Sequence, residues 1–166
     1  MAANAGVRFP PPLLFVGPLG IAAALRSQWP LRIVRSTDAA AGPARTAMLI
    51  IAYVLIAAGV LWMAWGILTF RRAQTGIYPT SPASRIVDYG PYRFGRNPMY
   101  LGMTAVYWGV TLWLNTWWAL LLFPLVIMLL LRFVIANEER YLREAFPGDY
   151  DAYAARVSRW IGTNPR

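Results

Sequence analysis

The chain has no cysteine and no histidine, and only seven of its 166 residues are acidic. Without cysteine there can be no disulfide, thiolate metal site or cysteine nucleophile. Without histidine the commonest general base and the commonest metal ligand are both missing. Chemistry is left to carboxylates, arginine, tyrosine, backbone groups or a bound cofactor. Lysine is absent as well, so all sixteen basic residues are arginine. Charge is scarce throughout: 14% of residues are charged, where a soluble domain carries ~25%.

Apolar residues take up the difference. They make up 58% of the chain, against roughly 45–50% in soluble domains. A water-soluble fold built from this chain would expose too much apolar surface to stay dissolved, which points to a bilayer as the solvent. The length fits one compact domain. A net charge of +9 would ordinarily raise nucleic acid as a partner. Here the arginines flank apolar runs instead, a pattern that fits membrane orientation and anionic headgroups.

Four apolar segments stand out, at 11–25, 46–70, 99–114 and 117–136. A span needs ~20 apolar residues, which the second and fourth segments supply and the other two approach. The sequence therefore predicts an all-α integral membrane fold with about four transmembrane helices, forming a single domain. Asn115-Thr116 is a tight link, so the last two spans should form an antiparallel hairpin. The first segment has some features of a signal peptide, but Pro10-Pro11-Pro12 suits a helix start better than a cleavable apolar core. With four spans, eleven arginines fall on one side of the membrane and four (Arg26, Arg32, Arg35 and Arg45) on the other. The N-terminus, the loop 71–98 and the tail 137–166 are then cytoplasmic, as expected for a bacterial inner-membrane protein. Trp113, Trp117 and Trp118 fall at the outer interface. In the tail, residues 138–146 extend the fourth helix into water until Pro147-Gly148 breaks it. Asp149 is a suitable N-cap for a last amphipathic helix whose Tyr150, Tyr153, Val157 and Trp160 stripe should pack on the membrane surface or the loop.

Two features carry chemistry. The loop reads SRIVDYGPYRFGRNPMY over 84–100. Gly90 and Gly95 bracket four residues, but Arg96-Asn97 follows where a phosphate loop needs Lys and Ser or Thr. No GxGxxG follows a strand either, so a soluble dinucleotide fold is excluded. The other feature is Glu138-Glu139, just past the fourth span, with Arg132 nearly two turns earlier. Carboxylates at the end of a span face an unfavourable helix dipole and an anionic surface, so a cation should compensate them. Arg93 or Arg96 from the loop is placed to do so, which makes the two features one site.

GPYRFGRNPMYLG, followed about forty residues later by EERYLREAFPGDYDAYAARVSRW, resembles the isoprenylcysteine carboxyl methyltransferase and phospholipid methyltransferase group, over roughly residues 46–161. The resemblance implies a membrane helical bundle that holds S-adenosylmethionine between the last hairpin, the preceding loop and the C-terminal segment. It implies that Ser84, Arg85, Ile86 and Val87 line the cofactor with backbone groups and that Tyr92 is a pocket tyrosine. Arg96, or Arg93 beside it, is the candidate cation for the cofactor's carboxylate. Asn97, Pro98, Met99 and Tyr100 form a binding stretch, and Glu138 contacts the cofactor. This chain departs from the group at two positions. Asn97 stands where the isoprenylcysteine enzymes have His, and Val134 stands where they have an Arg for the substrate carboxylate. Both departures argue against a prenylcysteine substrate and leave the cofactor reading intact.

The chemistry of the cofactor agrees with these residues. Its carboxylate calls for arginine or backbone N–H, its hydroxyls and ammonium for a carboxylate, and its sulfonium for aromatic faces and carbonyls. Methyl transfer is an in-line displacement. A carboxylate or thiolate acceptor needs only orientation and exclusion of water, whereas an amine or phenol also needs a base. Glu138 and Glu139, with Arg132, are the candidate catalytic residues, and the substrate is expected to be lipophilic or amphipathic and to enter from the membrane lipids. The rival readings are a nicotinamide-dependent membrane reductase of the steroid-reductase type and a non-catalytic scaffold.

Overall fold

The computed structural model describes residues 10–35, 41–76 and 83–162. Arg8, Arg166 and the rest of the termini, together with 36–40 and 77–82, lie outside the described residues. The described elements are all helical: α1 (Pro11–Gln28), α2 (Ala41–Arg72), a 3₁₀ turn (Gly90–Arg93), α3 (Pro98–Leu114), α4 (Trp117–Leu129), α5 (Ala136–Ala145) and α6 (Asp149–Arg156). A π-helical turn, Leu130–Ile135, joins α4 to α5, so that one helix runs without a break from Trp117 to Ala145.

Local chemistry sets the ends of these helices. Pro11 and Pro12 open α1, and Pro98 opens α3, where a missing N–H costs nothing. Asn115 closes α3 in the left-handed region with φ 51°. The Thr116 hydroxyl then accepts the Trp118 N–H at 3.3 Å and caps α4. The chain reverses over these two residues, and the Tyr107 hydroxyl donates across the hairpin to the Ala119 carbonyl at 2.6 Å. The last helix departs from the sequence reading. Gly148, not Asp149, is its N-cap, with φ 82°, and no side chain caps it. The turn after Pro147 demands a backbone that glycine adopts freely, which moves Asp149 into the first helical turn, where its charge suits the dipole.

The bundle is held by a seam of small residues. Ala52, Gly59 and Gly66 recur every seven residues on α2, and Gly102 and Gly109 do so on α3. A Cβ on Gly59 would fall 2.6 Å from the Gly102 carbonyl, and one on Gly109 would fall 2.7 Å from the Ala52 carbonyl. Backbones approach this closely in membrane bundles, where lipid is as apolar as leucine and contact area must drive association. α1 lies against α4 and α3, with Phe15 and Ala22 buried beside Tyr107, Ala119 and Val126.

The opposite faces are bare. Helices Ala41–Arg72 and Trp117–Ala145 are long and apolar enough to cross a membrane, yet only 17% and 28% of their most apolar stretches is buried. Val16, Leu61 and Leu121 point outward with more than half of their surface exposed. Surfaces of this kind are stable only against lipid.

Candidate active site

The loop before α3 is fixed by the tail. Gly90, with φ 62°, turns the chain so closely past α2 that a Cβ there would sit 2.8 Å from the Thr69 hydroxyl. The Phe94 carbonyl accepts the Gly162 N–H at 2.9 Å, and the Arg96 N–H donates to the Ser158 carbonyl at 2.9 Å. The Asn97 side-chain amide donates to the Arg159 carbonyl at 3.0 Å. Gly95 passes directly beneath the Trp160 carbonyl, which would overlap any Cβ at that position. Lower down, the Tyr153 hydroxyl donates to the Tyr92 carbonyl at 2.7 Å. Residues 158–162 thus lie across the loop as a strap.

Beside the pinned loop is an open cleft of about 130 Å³. Phe70 of α2 closes one side, and Arg85, Ile86, Val87, Tyr92, Arg96 and Asn97 supply the loop wall. Pro98, Met99 and Tyr100 contribute the start of α3. Glu138, Glu139, Tyr141 and Leu142 come from α5, and Tyr150 and Tyr153 from α6.

Glu139 anchors the charges. Its side chain is 8% exposed, and Arg159 grips it with two bonds of 3.0 and 2.8 Å, a bidentate geometry. Arg96 reaches the same carboxylate at 3.1 Å and also donates to the Tyr150 hydroxyl at 2.9 Å. The carboxylate holds the Arg159 guanidinium above its ordinary pKa. Glu138 faces a different partner, accepting the Tyr100 hydroxyl at 2.6 Å. Burial pushes the Tyr92, Tyr150 and Tyr153 phenols up, so all three remain neutral donors. Two buried donors at the cleft, the Tyr92 hydroxyl and Arg96 Nε, have no partner among the described residues. Leaving them so costs ~1–3 kcal/mol each unless something else accepts from them.

Most of the residues that the sequence singled out line this cleft. Ser84 stands just outside, its N–H on the Thr75 hydroxyl at 2.9 Å and its own hydroxyl on the Gln74 carbonyl at 3.1 Å. Arg132 sits in the π-helical turn with its side chain exposed, away from the cleft, while Val134 is buried in the bundle core. Of the two loop arginines, Arg96 meets the glutamate pair, and Arg93 stacks 4.5 Å from the Phe94 ring. Sequence reasoning missed Arg159, Tyr141 and Phe70, and it read Tyr150 and Tyr153 as packing alone. Arg159 did lie within the resembling stretch, but nothing local marks it as the partner of a glutamate twenty residues earlier.

A helical bundle with apolar exposed flanks and a cleft of convergent polar groups at its end has the build of a membrane protein. Residues 47–149 match the phospholipid methyltransferase family, and the chain belongs to it. It is therefore a member of a family of membrane methyltransferases. The matched stretch supplies every wall of the cleft except α6. An uncharacterized protein of Haemophilus influenzae is 38% identical over 66 residues, which cover 38% of this chain and 100% of that protein. No solved structure matches. The family favours neither the reductase nor the scaffold reading.

Proposed function

We propose that the chain transfers a methyl group from S-adenosylmethionine to a lipophilic or amphipathic acceptor that enters laterally from the bilayer. The observation that carries this reading is the pair of unpartnered donors, the Tyr92 hydroxyl and Arg96 Nε, buried in a cleft that also presents the Glu138 carboxylate. The donors suit a carboxylate, the glutamate suits hydroxyls or an ammonium, and the Tyr92 and Tyr100 rings suit a cationic sulfur. When bound, the cofactor supplies a methyl carbon made electrophilic by its sulfonium.

The chain's own residues then have three tasks. Backbone groups of Arg85, Ile86 and Val87, with Tyr92, Arg96 and Glu138, hold and orient the cofactor. The apolar wall of Phe70, Met99 and Leu142 excludes water. If the acceptor is an amine or phenol, a base must take its proton, and Glu138 is better suited to this than Glu139, whose oxygens are committed to two arginines. A lipid headgroup amine, an isoprenoid-linked acid and a small amphipathic thiol or phenol all remain compatible acceptors. In this reading α1 to α4 are the four spans of a bacterial inner-membrane protein, with the cleft on the cytoplasmic side, a topology that the arginine asymmetry supports.

Calorimetric titration of the detergent-solubilised chain with S-adenosylmethionine, S-adenosylhomocysteine and NADPH tests the proposal. Binding of the first two alone is expected. Binding of NADPH alone would transfer the cleft to reductase chemistry, and silence from all three in folded protein would rule out both.

A further inference from the structure

A second concavity lies at the other end of the bundle. Arg26, at the end of α1, Arg32 and Arg35, on the connection beyond it, and Arg45, in the second turn of α2, surround it together with Asn115. Arg45 and the cofactor cleft's Phe70 are twenty-five residues apart on one helix, which places the two sites ~38 Å apart. They open at opposite faces of a membrane.

This cluster is preorganised. Asn115 pairs with the Val34 backbone in both directions, accepting its N–H at 2.8 Å and donating to its carbonyl at 2.9 Å. The Trp117 N–H donates to the Leu31 carbonyl at 2.9 Å, and the Trp118 indole donates to the Trp29 carbonyl at 2.8 Å. The segment carrying Arg32 and Arg35 is thereby fixed to the α3–α4 link. Arg45 is half-buried and held by the carbonyls of Leu112 and Trp113 at 3.0 and 2.8 Å. The carboxylates Glu139, Asp151 and Asp88 have their arginine partners at the other end of the bundle. Between residues 1 and 87 the sequence holds a single acid, Asp38, against these four guanidiniums. The like charges gathered there repel one another.

We propose that this concavity is a phosphate-binding site and that its occupant is the headgroup phosphate of an anionic phospholipid in the leaflet facing away from the cofactor cleft. Arginine forks match phosphate oxygens in pairs. The surroundings favour a lipid over free phosphate as the source. Trp29, Trp113 and Trp117 are each 41–63% exposed around the same end, at the level where tryptophan rings sit among headgroups. The adjoining faces of α1 and α2 expose Ile21, Ile50 and Ile51, which can lie along acyl chains.

The test uses the full chain in neutral detergent. Native mass spectrometry would measure retention of phosphatidylglycerol, with phosphatidylcholine and inorganic phosphate as the other probes. The expected result is one tightly retained phosphatidylglycerol, weakened at least tenfold in an Arg26→Gln/Arg32→Gln double variant, since each surface arginine contributes about fivefold toward an anionic lipid. An Arg71→Gln/Arg72→Gln control at the other end should retain it fully. Circular dichroism and a thermal melt establish that the variants are folded. Inorganic phosphate bound in an Arg26- and Arg32-dependent way, with no gain from the lipid, would keep the site but change the source to soluble phosphate. Retention unaffected by the double variant, or no retention of any probe, would overturn the site.

Discussion

Arg159 closes a two-bond fork on Glu139 from the far end of the tail and shares that carboxylate with Arg96 of the loop. This three-residue knot joins the strap, the loop and α5 around a buried charge. Arg159→Gln should therefore loosen both the fold and the cleft. Because Arg159 is partly exposed and Arg96 remains, the expected loss is ~1–3 kcal/mol, below that of a fully buried pair. Thermal unfolding in detergent would show it, and an unchanged midpoint would mean that Arg96 alone satisfies Glu139.

Tyr92→Phe should move two quantities in opposite directions. Its hydroxyl is buried without a partner among the described residues, so removing it should leave the ligand-free protein as stable as before or ~1 kcal/mol more stable. The same change should weaken S-adenosylmethionine binding by about five- to tenfold. A loss of stability without a loss of affinity would show that the hydroxyl serves the fold and not the ligand.

Tyr100 and Glu138 should act as one unit toward the cofactor. Glu138→Ala is expected to weaken binding by ~1–3 kcal/mol. Tyr100→Phe should cost less, because the carboxylate stays. In a double-mutant cycle their effects should fall short of additivity by at least 0.5 kcal/mol, the size typical of groups in contact. Strict additivity would separate Tyr100 from the function of Glu138.

The glycine seam should tolerate no growth. Gly102→Ala places a Cβ 2.6 Å from the Met63 side chain and 2.8 Å from the Gly59 carbonyl. Since the second contact is with backbone, α2 and α3 must move apart, and a stability loss of about 1–3 kcal/mol follows. Gly17→Ala, where nothing lies within 4 Å of the new atom, is the control that should change little.

Alkaline pH should unfold the chain through its buried phenols. Burial first, and the neighbouring Tyr150 second, hold the Tyr153 phenol above its usual value. The unfolded chain releases this proton near ~10. The contribution is then fully present below that pH and lost as the pH rises through the higher native value. Melting temperatures measured from pH 8 to 11 should fall at the upper end, and Tyr153→Phe should flatten part of that fall. An identical alkaline slope would remove Tyr153 from the effect.

Elements set by local chemistry were legible in the sequence. Long uncharged runs became α2 and the helix starting at Trp117, and Asn115-Thr116 became the reversal because those two residues cap a helix end and a helix start. The chemistry of the loop and of the glutamate pair could be read as one site because an unpaired carboxylate pair at a span's end needs a cation. What stayed hidden was non-local. The strap across Gly95 and the fork from Arg159 join residues that no periodicity links, and the π-helical turn has no composition of its own. The start of α6 was misjudged because Asp149 fits the preference for capping residues, while the φ of Gly148 depends on the turn that precedes it.

The strap has a consequence for how the protein is made. The helices can pack as each leaves the ribosome, but residues 158–162, which pin the cleft's loop wall, are synthesised after every residue that lines the cleft. During translation the loop wall is therefore untied, and its place is fixed only in the last moments of synthesis. A message truncated before Ser158 would produce a protein that packs its glycine seam yet leaves the loop beside its cleft unanchored.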